Sequence, residues 1–173
     1  MTVSQPLEAI RAVFFFEKAD FSCNIPAEIR QTIAEVNGMG TVVIIGESRA
    51  DELLKNHSII KTDSIAEINC ENAAVILGKN ARADIRTALG VIVNNDETSD
   101  YPPCVQIIAC GVSPKNTVSV TSRNSEKITL SLNRSVRTAN GICEPLELPV
   151  STLNYSEYDL MSAFAAEILL GKT

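Results

Sequence analysis

"NAAVILGKNARADIRTALGVIVNND", residues 72–96, decides the fold, because its second half reads two ways. Residues 73–77 form a short β-branched run and predict a strand. Beyond Gly78, Ile85, Ala88, Leu89, Ile92 and Val93 fall on one face of a helix, with Arg82, Asp84 and Arg86 clear of it. That spacing predicts a helix from Ala81 to Asn94, although Gly90 inside it costs ~1 kcal/mol relative to Ala. The rival reading ends the helix at Leu89 and makes "GVIVN" a strand. Periodicity favours the first and propensity the second; we take the helix.

Upstream, "TVVII" at 41–45 lacks polar alternation, which predicts a strand covered on both faces. It stops at Gly46 and feeds "ESRADELLKNH", about two turns of helix with Ser48 in the N-cap position. Earlier still, "IRAVFFFEK" (10–18) reads as a strand. Pro26 opens "PAEIRQTIAEV", where Ile29, Ile33 and Val36 recur at helical spacing before "NGMG" closes the run. "SIIKTDS" is extended, and Ser64 caps a brief helix beginning "IAEI".

Downstream, "NDETSDYPP" is a polar loop and "CVQIIACGV" a buried strand. "TVSVTS" and "ITLSLN" alternate at period two on either side of "RNSEK", a hairpin signature. Residues 134–150 are irregular, with Pro145 and Pro149 barring them from a sheet centre, and read as an extended arm. In "YSEYDLMSAFAAEILLGKT", Ser156 caps a helix over 156–170. Its apolar face carries Leu160, Met161, Phe164, Ile168 and Leu169, and Gly171 stands at its end. The expected fold is therefore α/β or α+β. It is a single domain over 1–173, a mixed β-sheet flanked by helices with a β-hairpin and a C-terminal amphipathic helix.

"VIIGESRADELL" (43–54) and "VILGKNARADIRTAL" (75–89) share V-I-[IL]-G followed by R-A-D, with one extra residue in the second copy. Duplication of a βα unit and coincidence between two similar strand-glycine-helix junctions both fit this match.

A formal charge of −6 opposes phosphate backbones and anionic membrane surfaces, so neither nucleic acid nor membrane is expected as a partner. No apolar run approaches the ~20 residues that span a bilayer. With no leader-like segment, the expected location is cytoplasmic, or within an assembled virion-like particle. Five cysteines, widely spread and without a CxxC pair, read as reduced and mostly buried thiols.

Few residues invite chemistry. A strand ending at Gly46 resembles a phosphate-holding turn, but dinucleotide and triphosphate sites need more glycines, and Glu47 repels an anion. Gly78, Lys79 and Arg82 suit an anion better, yet one glycine and one lysine also describe a solvated turn. The terminal Gly-Lys-Thr lacks the loop that a phosphate site needs. His57, the single histidine, lies in a charged turn and reads as a surface residue. Asp96, Glu97 and Asp100 cluster without the alternating ligand spacing of a calcium loop. No catalytic residue, cofactor or metal ligand is assigned. For a ligand-binding alternative, the ends of strands 41–46 and 104–110 supply Glu47, Ser48, Cys110 and Ser113.

Taken in order, "LEAIRAVFFFEKADF", "TVVIIGES", "IIKTDSIAEI", a helix running into "VIVNND", "CVQIIACGV" and the hairpin "TVSVTS…ITLSLN" resemble the elements of contractile phage tail sheath subunits. The likeness spans roughly residues 8–165, and the chain is much shorter than a usual subunit of that family. It implies a structural protein that assembles through extended arms and uses no cofactor. The expected function is accordingly non-enzymatic, exercised in a homo-oligomer or with other protein subunits. The alternative is a small α/β enzyme or binding module.

Overall fold

The computed structural model describes residues 14–16, 31–33, 40–62, 66–81, 83–95, 105–152 and 154–171. Within them a mixed sheet carries most of the chain. Its strands are β1 (Phe14–Phe16), β2 (Gln31–Ile33), β3 (Thr41–Ile45), β4 (Ser58–Thr62), β5 (Ala66–Leu77), β6 (Ala83–Asn94), β7 (Ile107–Cys110), β8 (Val118–Arg123), β9 (Lys127–Leu132) and β12 (Leu146–Ser151). A separate two-stranded hairpin pairs β10 (Val136–Thr138) with β11 (Gly141–Cys143). Helices are α1 (Ala50–Leu53) and α2 (Glu157–Leu169).

The ambiguous stretch resolves as strand: Ala83–Asn94 is β6, and the helix over 81–94 is wrong. The reason lies in β5. Ala66 pairs with Ala83 and Val75 with Val91, both in parallel, so β6 starts beside the start of β5. A straight strand of that length runs ~40 Å, whereas the five-residue connection 78–82 reaches at most ~18 Å. Parallel pairing is possible only if both strands bend. They do so at the register shifts between Ile68 and Ala74. Inward side chains from both arms of the bend, Ile68 and Cys70 with Ala73 and Val75, then meet in one cluster with Ile85, Val91 and Val93. Apolar positions that looked like a helix face are thus split between the two faces of a bent strand.

Stacking of such rungs explains the internal similarity. Val43, Ile44 and Ile45 lie in register beside Val75, Ile76 and Leu77, so the V-I-[IL]-G segments are neighbouring parallel strands. The R-A-D portions diverge, Arg49–Asp51 entering α1 while Ala83 and Asp84 open β6. The register continues to Val91–Ile92 and Ile107–Ile108. One face of the stack is therefore a ladder of Ile44, Ile76, Ile92 and Ile108 against α2, and the other carries Val43, Val75 and Val91. As expected for "TVVII", Val42 to Ile45 are buried on both sides.

Helix α2 lies across β5 to β9 and the β10–β11 hairpin. Its close approach needs a missing side chain: a Cβ on Gly90 would stand 2.8 Å from Leu169 Cδ1. Ser156 caps α2 as expected, its Oγ accepting from the Asp159 amide at 3.0 Å. Gly171, at φ +72, ends the final turn. At that end the hairpin tip straps the helix: Ala139 N–H donates to the Leu169 carbonyl at 2.8 Å and Asn140 Nδ2 to the Gly171 carbonyl at 3.1 Å.

The mixed sheet, the β8–β9 hairpin and the C-terminal helix match the expected fold. Among the described residues the flanking helices are α2 and the single turn of α1, whose N-cap is Arg49 rather than Ser48. Gln31–Ile33, expected inside a helix from Pro26, is a strand paired with β5, and Ala66 to Ile68 of "IAEI" open β5 instead of a helix, Ser64 and Ile65 lying outside the described residues. Residues 134–150, read as an arm, contain the β10–β11 hairpin and most of β12. Among the described residues β12 pairs only with β9, as a proline-bearing edge strand should. Among the described residues no helix is long and apolar enough to cross a membrane.

Gly90→Val should lower unfolding stability by about 1–3 kcal/mol, since it overpacks the α2 interface. Gly78→Ala should cost more than an ordinary surface change, because its Cβ would meet the Glu47 carbonyl oxygen at 2.3 Å, and backbone cannot swing aside. Urea melts at unchanged m-value check both; midpoints equal to wild type would refute this packing.

Candidate functional site

The carboxyl ends of the parallel strands converge with the start of α2. Glu47 and Ser48 follow β3, Lys79 follows β5, Asn94 ends β6, and Val112 follows β7. With Arg49, Ser156 and Glu157 to Asp159 they line an open cleft of about 470 Å³. Open sheets place ligands at such strand ends.

The turns at the cleft floor are built backbone against backbone. Gly46 N–H donates to the Thr62 carbonyl at 2.9 Å and Gly78 N–H to the Ile45 carbonyl at 2.8 Å. Glu47 and Lys79 exchange amide and carbonyl bonds at 3.0 and 2.9 Å. A Cβ on Gly46, at φ +82, would lie 2.6 Å from the Lys79 carbonyl oxygen. These glycines let two rungs touch. The amides of Gly46, Glu47, Gly78 and Lys79 already donate within the chain, so these four cannot form a phosphate cradle.

Other polar groups of the cleft are also tied within the chain. Asp159, buried at the first turn of α2, accepts from the Arg49 amide at 3.1 Å and from Ser48 Oγ at 3.3 Å. Tyr158 OH donates to the Leu77 carbonyl at 2.6 Å, with the Ile92 carbonyl 3.2 Å away, and so pins the helix start to the sheet. Arg49 pairs with Glu52 at 2.9 Å and lies 4.7 Å over the Tyr155 ring. Hydrogen bonding to Glu52 raises the Arg49 pKa further above its already basic value. Glu157 forms an ion pair with Arg123.

Of the residues expected for a ligand-binding reading, Glu47 and Ser48 line this cleft and Cys110 and Ser113 do not. Cys110 is buried in the core cluster that includes α2, and desolvation raises its thiol pKa, leaving it inert. Ser113 is exposed, and its Oγ accepts from the Lys115 amide at 3.3 Å. Lys79 reaches the cleft, whereas Arg82 and the cluster Asp96, Glu97 and Asp100 lie outside the described residues. Among those described, no three His, Cys, Asp or Glu side chains are placed to hold a metal ion.

His57 is not a surface residue. Its side chain is 2% exposed, and Nε2 donates to Glu167 Oε1 on α2 at 2.8 Å. No local pattern signals this, because the partner lies far along the chain and the flanking Lys55 and Asn56 are exposed. Tyr158 and Asp159 were equally hidden inside an ordinary capping sequence.

No family model, curated protein or solved structure matches the chain. The geometry of the cleft therefore stands alone.

Glu167→Ala should cost about 1–3 kcal/mol by orphaning the buried His57 imidazole, whereas the cost of His57→Ala comes from the packing it removes, since water can reach Glu167. The double variant should lose less than the two losses added, and strict additivity in urea melts would show that the pair is not coupled. In native protein a thiol reagent should label the partly exposed Cys143 well before Cys70 or Cys110, as read by peptide mapping. Equal labelling of Cys110 would contradict its burial.

Proposed function

We propose that this chain is a non-enzymatic structural or assembly protein acting through self-association or partner interfaces, in keeping with its resemblance to contractile tail sheath subunits. Of the elements behind that resemblance, the strand before Gly46, the strand β7 and the β8–β9 hairpin are present, whereas the helix before Asn94 is a strand. The bent, stacked rungs make a solenoid-like path, a plan that offers extended surface rather than an enclosed pocket.

One observation carries the reading. The apolar face of β12 outruns α2, so that Leu146 and Val150 are only half-buried and Leu148 is 43% exposed, while Ile142 on the hairpin is 69% exposed. Thr152 N–H donates to the Glu126 carbonyl beside β9, which turns the alternate positions 147, 149 and 151 toward the free edge. Pro149 there lacks a donor and Glu147 adds charge, so the edge is guarded against simple strand addition. Contact would run through side chains. A stable interface buries ~1,200–2,000 Å², which requires a partner covering the hairpin as well as β12.

Light scattering on eluting protein tests this. Wild type should form a defined oligomer that Leu148→Lys with Ile142→Lys reduces to smaller species at unchanged melting temperature. A strict monomer at high concentration would remove self-association from the proposal.

A second reading rests on the cleft itself, since its position at parallel strand ends suits a small ligand. Screening nucleotides, acyl-CoA and sugar phosphates by thermal shift should then find one that raises the melting point, by about 2.7 kcal/mol of added stability at 100 times its Kd. Absence of any shift across the set would reject that reading.

A further inference from the structure

We infer that Asn140 is a site of spontaneous deamidation whose conversion releases the strap on the C-terminus of α2. Asn140 precedes Gly141 at the tip of the β10–β11 hairpin, and both are exposed. Gly141 has φ +129, and a Cβ there would meet nothing within 4 Å, so neither a side chain of its own nor a neighbouring atom crowds the Asn140 side chain from that side. In the reaction that nitrogen bonds to the Asn140 side-chain carbonyl carbon, the bond from that carbon to Nδ2 breaks, and ammonia leaves with the proton that the Gly141 nitrogen gives up. Water then opens the cyclic imide to aspartate or its iso form. No oxidant or cofactor enters.

The consequence follows from what Asn140 does. Its Nδ2 donates to the Gly171 carbonyl just past α2, and Asn140 N–H itself is held by Thr138 Oγ1 at 3.2 Å. A carboxylate has no proton to donate to a carbonyl, and it places negative charge at the negative end of the helix dipole. Among the described residues no other asparagine is followed by glycine. Asn124 is followed by Ser125, and its Oδ1 accepts two backbone amides, from Glu126 at 2.9 Å and Lys127 at 2.8 Å, which holds the carbonyl in place.

The full chain, incubated at mildly alkaline pH and mapped by peptide mass spectrometry, should convert Asn140 at least several times faster than Asn80, Asn124 or Asn154. Asn140→Asp should melt roughly 2–4 °C below wild type, and wild type should drift toward that value on ageing while Asn140→Ser holds its own. Conversion at Asn140 no faster than at those three, or an Asn140→Asp variant that melts with wild type, would overturn the inference. Mapping at low protein concentration, where a partner over the hairpin has dissociated, keeps this test independent of self-association.

Discussion

A connection too short for its strands governs this molecule. Parallel neighbours ordinarily need a crossover of a dozen residues or more, usually a helix, and β5 and β6 are joined by residues 78–82 alone. Bending both strands is the geometric answer, and the rest follows. The bend folds two apolar arms onto each other, the stack leaves one face for α2, and the glycine turns at Gly46 and Gly78 close the rungs by direct backbone contact. Helix α2 then completes the fold from outside, seated on the isoleucine ladder and fastened at Tyr158, His57 and the hairpin tip.

Legibility of the fold in the sequence depended on how local each determinant was. Strand β3 was readable because burial on both faces leaves an unbroken β-branched run, and the β8–β9 hairpin because one-sided burial leaves a period of two. Ser156 and Gly171 were readable because caps act within one helical turn. β6 was not, since bending sends Ile85 and Val93 into one cluster and Ile92 into the other, and the resulting spacing mimics a helix face. The similarity between residues 43–46 and 75–78 was visible, but nothing in it disclosed that the two segments are paired strands.

The candidate site was legible only in part. Strand ends can be located from pattern, which is how Glu47 and Ser48 came into view. Side chains delivered by a distant helix cannot, so Tyr158 and Asp159 surfaced only in three dimensions. Cys110 shows the converse error: a strand end chosen correctly still has two faces, and this thiol takes the one under the helix.

The stacking also sets a unit of length for change in this chain. Ala66 pairs with Ala83, Val75 with Val91 and Val91 with Ile107, so neighbouring rungs recur every 16 or 17 residues. A one-residue insertion within a rung would invert which side chains face the helix, as any slip in a period-two pattern must. Gain or loss of a whole rung would instead preserve both apolar ladders and alter only how far the stack extends. Natural variants of such a protein would therefore differ in length by coils, and its reach would grow in quanta.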